Sequence, residues 1–283
     1  MCESQPPRVS LPRVAAPLIT FLTDYGLEDD FVGICHGVIA TICPDARVID
    51  ITHGIARHDI RGGALALRSS LRYMPVGVHL AVVDPDVGAQ RRAVALRLAD
   101  ERLLVGPDNG LLSPAALEAG GVVEAVDITS SSWRLEPVSA TFHGRDIFAP
   151  VAARLASGAE LAHAGDPFDP EQLVALELPK PRREPGGLAA HAINVDRFGN
   201  VQLDAVHADL LESGLGLGSR VELEAGAGGP HRVHYVRTFA DVDAGELLLY
   251  EDADATLAVA VSRGNASERL GLRTGDELWI RPA

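Results

Sequence analysis

The sequence predicts an α/β protein: an N-terminal, doubly wound, largely parallel sheet followed by a second, smaller all-β, barrel-like domain. Three observations carry this. Five times in the first 150 residues an apolar strand runs into a small knot of polar residues: LITFLTDYG (18–26), VIDITHG (48–54), HLAVVDPDVG (79–88), RLLVGPDNG (102–110) and SATFHGRD (139–146). Helical periodicity fills several of the gaps between them, the alternation typical of parallel sheets. Beyond residue 187 the pattern changes to short strands separated by turn signals.

Taken in order, residues 18–26 alternate into a buried strand, and Asp29-Asp30 offers a cap for a helix over 30–43, with Phe31, Ile34, Val38 and Ile42 at helical spacing. Cys43-Pro44-Asp45 stops that helix. A strand is expected over 47–52, a helix near 58–73 ending at Met74-Pro75, then strands at 78–84, 93–98 and 102–105. A helix at 113–119, a strand at 122–127 and a helix over 145–157 complete the first domain. The run from Leu178 to Gly187, rich in Pro, Gly and charge, reads as a linker. Strands are expected at 188–195, 201–203, 219–224, 231–236, 246–250, 256–261 and 277–281. The organisation is thus a tail over 1–17, an α/β domain over 18–178, a linker over 179–187 and a β-rich domain over 188–283.

Composition narrows the function. The chain has 283 residues, enough for two cores, and 47% are hydrophobic. A formal charge of −14, with 39 acidic against 25 basic residues, argues against nucleic-acid binding, which needs Lys/Arg patches to displace counterions. No apolar run reaches the roughly 20 residues of a membrane helix. The opening MCESQPPRVSLPRVAAP lacks the apolar core of a signal peptide. Cys2, Cys35 and Cys43 form no CxxC, which suggests reduced thiols and a cytoplasmic protein. The Asn265-Ala266-Ser267 sequon is read as chance.

Common catalytic motifs are missing. There is no Walker A sequence, no GxSxG elbow and no HxxxH or HExxH, so neither a metal site nor a cofactor is expected. The Gly214-to-Gly218 stretch lies in the β domain and does not open a helix, so it is a loop. What remains is polar residues at strand ends. Ligands of parallel sheets bind beyond the carboxyl ends of the strands, so Asp24, His53, Asp84, Asp108, Asn109 and His143 are expected around one site. Each has a plainer reading. Asp24 can cap its own turn, Asp84-Pro85-Asp86 with Arg91 can be a self-capping turn and an ion pair, and His143 can be structural. His36 and His58 are read as structural or solvated.

Taken together, TDYG (23–26), VVDPDVG (82–88), VGPDNG (105–110), TFHGRDIFAP (141–150), NVDRFGN (194–200) and RGNA (263–266) resemble the S-adenosylmethionine hydrolases, or hydroxide adenosyltransferases. These are related to the adenosylmethionine-dependent fluorinase and chlorinase. The likeness spans roughly residues 18–270, in order. It implies hydrolysis of S-adenosylmethionine to adenosine and methionine, with the sulfonium compound as substrate rather than cofactor. It also implies a homotrimer with ligand at a subunit interface. Asp84, Arg91 and His143 match an Asp–Arg–His catalytic triad that the halogenases lack. Asp24 matches the carboxylate on the ribose hydroxyls and Asp196 the acid near the methionine amino group. Phe198, Asn200 and Phe239 match adenine-stacking and amide-reading positions, and Asn265 with Ala266 the segment along the adenine edge. One departure stands out: Glu251-Asp252-Ala253-Asp254 replaces a serine that contacts the methionine part in relatives. The alternatives within reach are a halogenase of the same fold and a catalytically silent adenosine- or adenosylmethionine-binding sensor.

The residue types suit that chemistry. Attack at C5′ expels a neutral thioether, so no strong acid is needed. Bulk water, with a pKa near 15.7, must be activated. Arg91 can stabilise developing hydroxide, and Asp84 or His143 can accept its proton.

Overall fold

The computed structural model describes residues 16–225 and 229–283. The tail expected over 1–17 lies, but for its last two residues, outside the described residues, as does Cys2. Contacts divide the chain into two compact units, after Leu176.

The first unit contains β1 (Leu18–Thr23), α1 (Phe31–Ile42), β2 (Arg47–Thr52), α2 (Ile60–Leu71), β3 (Val78–Val82), β4 (Ala93–Leu98), β5 (Leu103–Pro107), α3 (Ser113–Glu118), β6 (Val122–Asp127), α4 (Ala149–Ala156) and β7 (Asp166–Phe168). One sheet runs β2-β1-β3-β5-β4-β6-β7. The first four strands are parallel and the last three pairings antiparallel. The antiparallel half has a simple cause: β4 turns back into β5 through residues 99–102, a connection too short for a parallel crossover. Alternation then assigns the two faces. Ile19, Phe21, Leu80 and Val82 pack with α1 and α4, while Leu22, Ala81 and Val83 pack with α2 and α3. Helices cover both faces, so the strands read as near-continuous apolar runs.

Local details differ from expectation. Asp30 stands at the N-cap of α1, but its side chain makes no capping bond. Asp59 does cap α2, accepting from the Gly62 amide at 2.8 Å. The expected helix over 145–157 begins as a π-helical turn, Gly144–Phe148, in which the Ala149 amide reaches the Gly144 carbonyl five residues back. Such turns recur at functional sites. Cys35 and Cys43 are free and buried, and burial pushes the Cys35 thiol up to about 12, which leaves it inert.

The second unit contains β8 (Arg182–Glu184), β9 (Gly187–Val195), β10 (Val201–Leu203), α5 (His207–Glu212), β11 (Arg220–Ala225), β12 (Pro230–Tyr235), β13 (Leu247–Glu251), β14 (Leu257–Val261), α6 (Ala266–Leu270) and β15 (Glu277–Pro282). Seven strands, β9-β10-β14-β13-β12-β11-β15, close on themselves through the pairing of β10 with β9. All neighbours are antiparallel except β12 and β13. Inward positions such as Leu188, Ala190, Val221, Leu223, Leu249 and Val259 fill the barrel. Three residues expected in a linker, Arg182–Glu184, instead form β8, which pairs on the outside with β9 in a tight hairpin.

Candidate functional site

Strands β1 and β3 are parallel neighbours with Thr23 opposite Val82, so their carboxyl ends advance in step. The residues just past those ends, Asp24, Tyr25 and Asp84, wall a cavity of about 200 Å³, which Phe31, Phe142, His143 and Gly144 help to close. Tyr25, Phe31 and Phe142 pack as a cluster of tilted and edge-on rings, with centroids 5.2–6.0 Å apart.

Asp84 and His143 meet through Arg91. The Arg91 Nε donates to both Asp84 oxygens, at 2.9 and 3.1 Å, and its Nη2 also donates to Asp84 Oδ2. The same Nη2 lies 2.9 Å from His143 Nδ1. The Arg91 side chain is only 8% exposed, lies 5.2 Å over the Phe148 ring, and is not part of the cavity wall. It therefore sits behind Asp84 and His143 and holds both. A guanidinium can only donate, so His143 Nδ1 is the acceptor and the neutral ring carries its proton on Nε2. Burial, and then the Arg91 charge, lower the His143 pKa, while Asp84 and Asp146 oppose that shift.

The segment bearing His143 is held by Asp146. Its buried carboxylate accepts from the Ser139 amide at 2.8 Å and from Arg145 Nε and Nη2 at 2.6 and 2.9 Å. Asp24 is fixed by one oxygen: Oδ2 accepts from the His58 amide at 2.9 Å, where His58 adopts a left-handed backbone, φ 65°.

Three residues expected at this site are elsewhere. His53 is buried against Thr23 Oγ1 at 2.8 Å and Asp50 at 3.1 Å. Asp108 accepts from Arg92 Nε and the Val174 amide, at 3.0 and 2.8 Å. Asn109 Nδ2 donates to the Val83 carbonyl at 2.9 Å. All three organise strand ends instead of facing the cavity. The successive arginines thus point to different tasks, Arg91 to the Asp84–His143 pair and Arg92 to Asp108 and the Phe168 ring. Among the described residues, His36, Asp50 and His53 could also offer three metal-ligating atoms within 4.8 Å. Both imidazoles there already face Asp50 Oδ1, at 2.9 and 3.1 Å.

The second unit has its own cavity, about 1040 Å³, walled among others by Asp196, Phe198, Asn200, Phe239 and Asn265. Two loops form its rim. Asp196 Oδ1 accepts from the Phe198 and Asn200 amides, at 2.8 and 2.9 Å, and its Oδ2 from Asn200 Nδ2 at 2.7 Å. Asn265 Oδ1 caps α6 through the Glu268 amide at 3.0 Å. The Gly199 carbonyl then accepts from both Ala266 and Ser267 amides at 3.0 Å, stitching the loops together. This approach requires glycine: Gly199 has φ +81°, and a Cβ there would run into the Asn265 amide, 2.6 Å from its Nδ2. Ala266 is fully buried and is not in the wall. Phe198 is 66% and Phe239 39% exposed, so both rings are open to a ligand.

The departure at 251–254 also has a local reason. Asp252 accepts from Gln202 Nε2, Thr256 Oγ1 and the Asp254 and Thr256 amides, all at 2.9–3.0 Å. It is the organiser of its own turn. Tyr25 and Phe142 were not singled out from the sequence, although TDYG and TFHG contain them, and Phe31 was read only as an apolar helix position; Asp146 was equally visible in HGRD.

Known proteins resemble this chain along most of its length. The family model of the SAM hydroxide adenosyltransferase N-terminal domain matches residues 19–165, and that of the C-terminal domain residues 190–279. A Salinispora tropica protein named (R)-S-adenosyl-L-methionine hydrolase is 53% identical, covering 93% of this chain and 97% of its own length. A fluorinase from an Actinoplanes species is 28% identical over 96% of this chain and all of its own. The crystal structure of an uncharacterized conserved protein from Thermotoga maritima superposes with a TM-score of 0.86 at 37% identity, covering 93% of this chain and 99% of that one. The chain belongs to the SAM hydroxide adenosyltransferase family.

Proposed function

We propose that this chain is an S-adenosyl-L-methionine hydrolase, releasing adenosine and L-methionine by in-line attack of water at C5′. The observation that carries the reading is Arg91 bridging Asp84 and His143 beside a cavity that Asp24 also walls. The hydrolase relative at 53% identity supports it against the halogenase alternative, whose named relative is more distant.

Water oxygen bonds to C5′ as the C5′–S bond breaks, and its electron pair returns to sulfur as a neutral thioether. The water proton goes to Asp84. His143, neutral with its hydrogen on Nε2, presents a donor rather than a base, so the carboxylate is the acceptor in the triad. Such proton transfer contributes about 10²–10⁴-fold. Arg91 acts through the other two, fixing the carboxylate plane and the imidazole tautomer. Its charge offsets that of Asp84, and bound substrate filling the small cavity would displace water from it, which favours a reaction that disperses opposite charges.

Asp24, with Oδ2 held by the His58 amide, has Oδ1 available for the ribose hydroxyls, which a carboxylate can only accept from. Phe198 and Phe239 stack the adenine. Asp196, Asn200, Asn265 and Ala266 serve by shaping the two stitched loops that carry those rings and line the substrate. No cofactor takes part. The homotrimer with ligand at a subunit interface belongs to the same reading and is tested by light scattering, where a stable monomer would remove it. No helix among the described residues is long and apolar enough to cross a membrane. Cytoplasmic residence is part of the reading and is checked by cell fractionation.

The decisive experiment incubates purified protein with each sulfonium epimer of S-adenosylmethionine, in chloride, and separates the products. Adenosine and methionine are expected, faster from the (R) epimer named for the relatives, and strongly reduced in Asp84→Asn. A 5′-chlorinated nucleoside, or intact substrate at every pH, would overturn the reading.

A further inference from the structure

The hydroxyl of Tyr25 has no role in the fold. Its ring packs against Phe31 and Phe142, contacts a phenylalanine would make equally well. Among the described residues its oxygen makes no hydrogen bond, whereas the amide of Tyr25 is tied to Thr23 Oγ1 at 3.1 Å. The oxygen lies against Gly144, and both residues line the same cavity as Asp84 and His143. The oxygen is not one of the described side-chain atoms sealed from solvent without a partner, so it is open to the cavity that Tyr25 lines. A donor left free there, beside the reacting residues, points to a ligand atom that accepts from it.

We propose that Tyr25 is a catalytic residue whose Oη holds the attacking water against Asp84. This rests on the hydrolase reading and adds a fourth group to the Asp84, Arg91 and His143 set. The attacking oxygen must turn one lone pair to C5′ and one hydrogen to Asp84. Its second lone pair needs a donor, and the Tyr25 O–H is one whose oxygen has no competing partner. As the proton passes to Asp84, charge builds on the water oxygen and the Tyr25 hydrogen bond strengthens, which lowers the barrier selectively. Tyr25 itself keeps its proton. Burial first, then Cys35, Asp24 and Asp84, push its pKa well above the ordinary phenol range, although Arg91 opposes them.

Oη fills the space directly over the Gly144 Cα, where any side chain at 144 would project.

Tyr25→Phe tests the proposal because it removes one oxygen and leaves the ring cluster. With S-adenosylmethionine as substrate, kcat should fall on the order of 10²-fold, the effect of deleting one preorganised donor. KM and thermal midpoint should stay within about twofold and a few degrees of wild type. A kcat within twofold of wild type overturns the proposal. So does a fall accompanied by an equal loss of substrate affinity, measured by calorimetry on Asp84→Asn with and without the Tyr25 change, which would make the hydroxyl a binding group. Wild-type protein that yields no adenosine is a different outcome: it removes the hydrolase reading, and the proposal with it.

Discussion

Gly144→Ala should damage this protein only while Tyr25 keeps its hydroxyl. A Cβ at position 144 would fall well inside the contact distance of Tyr25 Oη, with Cζ at 3.1 Å and Cε2 at 3.4 Å. The Tyr25 ring cannot swing freely, because Phe31 and Phe142 flank it at centroid distances of 5.9 and 6.0 Å. Overpacking of this kind costs about 1–3 kcal/mol. Alanine's better helical preference returns at most about 1 kcal/mol. In Tyr25→Phe the oxygen is gone and the nearest ring atom is the carbon at 3.1 Å, a contact relieved by a shift of a few tenths of an ångström. The same alanine should then be close to neutral. The assay is a double-mutant cycle by urea unfolding, wild type, both single variants and the double, with an expected coupling of about 1–2 kcal/mol. Equal destabilisation by alanine in both backgrounds would refute the placement of the hydroxyl over Gly144, and with it the argument for what fills that space.

Three other perturbations have definite directions. Because burial and Arg91 hold the His143 pKa below its ordinary value, the acid limb of log kcat/KM should lie below the usual histidine range near 6.5, and a limb above 6.5 would contradict the neutral ring. His79 is fully buried, with Nδ1 on Thr20 Oγ1 at 2.9 Å, and burial foremost lowers its pKa to about 4. Between 6.5 and 4 the unfolded chain takes up a proton that the folded one refuses. Stability is therefore full above pH 6.5 and is lost as pH falls towards 4, by up to roughly 3 kcal/mol; His79→Gln should flatten this slope in urea titrations, and an unchanged slope would exclude His79 as its source. Gly199→Ala must both strain a φ of +81° and displace the Asn265 amide, so it should raise the dissociation constant for adenosine by calorimetry more than tenfold while the barrel's far-ultraviolet circular dichroism stays intact.

The strand ends were legible because each combined an apolar run with a polar knot, and the parallel register of β1 and β3 then brought Asp24 and Asp84 together. His53, Asp108 and Asn109 carry the same local signature, yet they serve neighbouring backbone and side chains. Nothing in a strand-end motif specifies whether a polar group faces the crevice or the turn beneath it. The antiparallel half of the first sheet was equally hidden, since β4 and β5 are near-continuous apolar runs, as buried parallel strands are, and only the short turn between them sets direction. Strand β8 escaped notice because Arg182-Arg183-Glu184 has no apolar face; its pairing comes from the hairpin with β9 alone. Tyr25 stood in a quoted motif, but its value depends on the glycine 119 positions later over which its oxygen sits, and that relation exists only in three dimensions.

The closed barrel bears on how the protein behaves when crowded. Among the described residues, each of the seven barrel strands has a neighbour on both sides, which leaves little open ladder to template growth from one molecule to the next. Among the described residues the appended β8 is the one strand of this unit with a single neighbour, and it is three residues long and wholly charged. A short, charged edge is a poor seed for fibres or strand-swapped pairs, and a net charge of −14 adds repulsion between copies. The unit whose rim loops carry Phe198 and Phe239 can thus display exposed aromatic rings without offering the backbone that would turn them into an aggregation site.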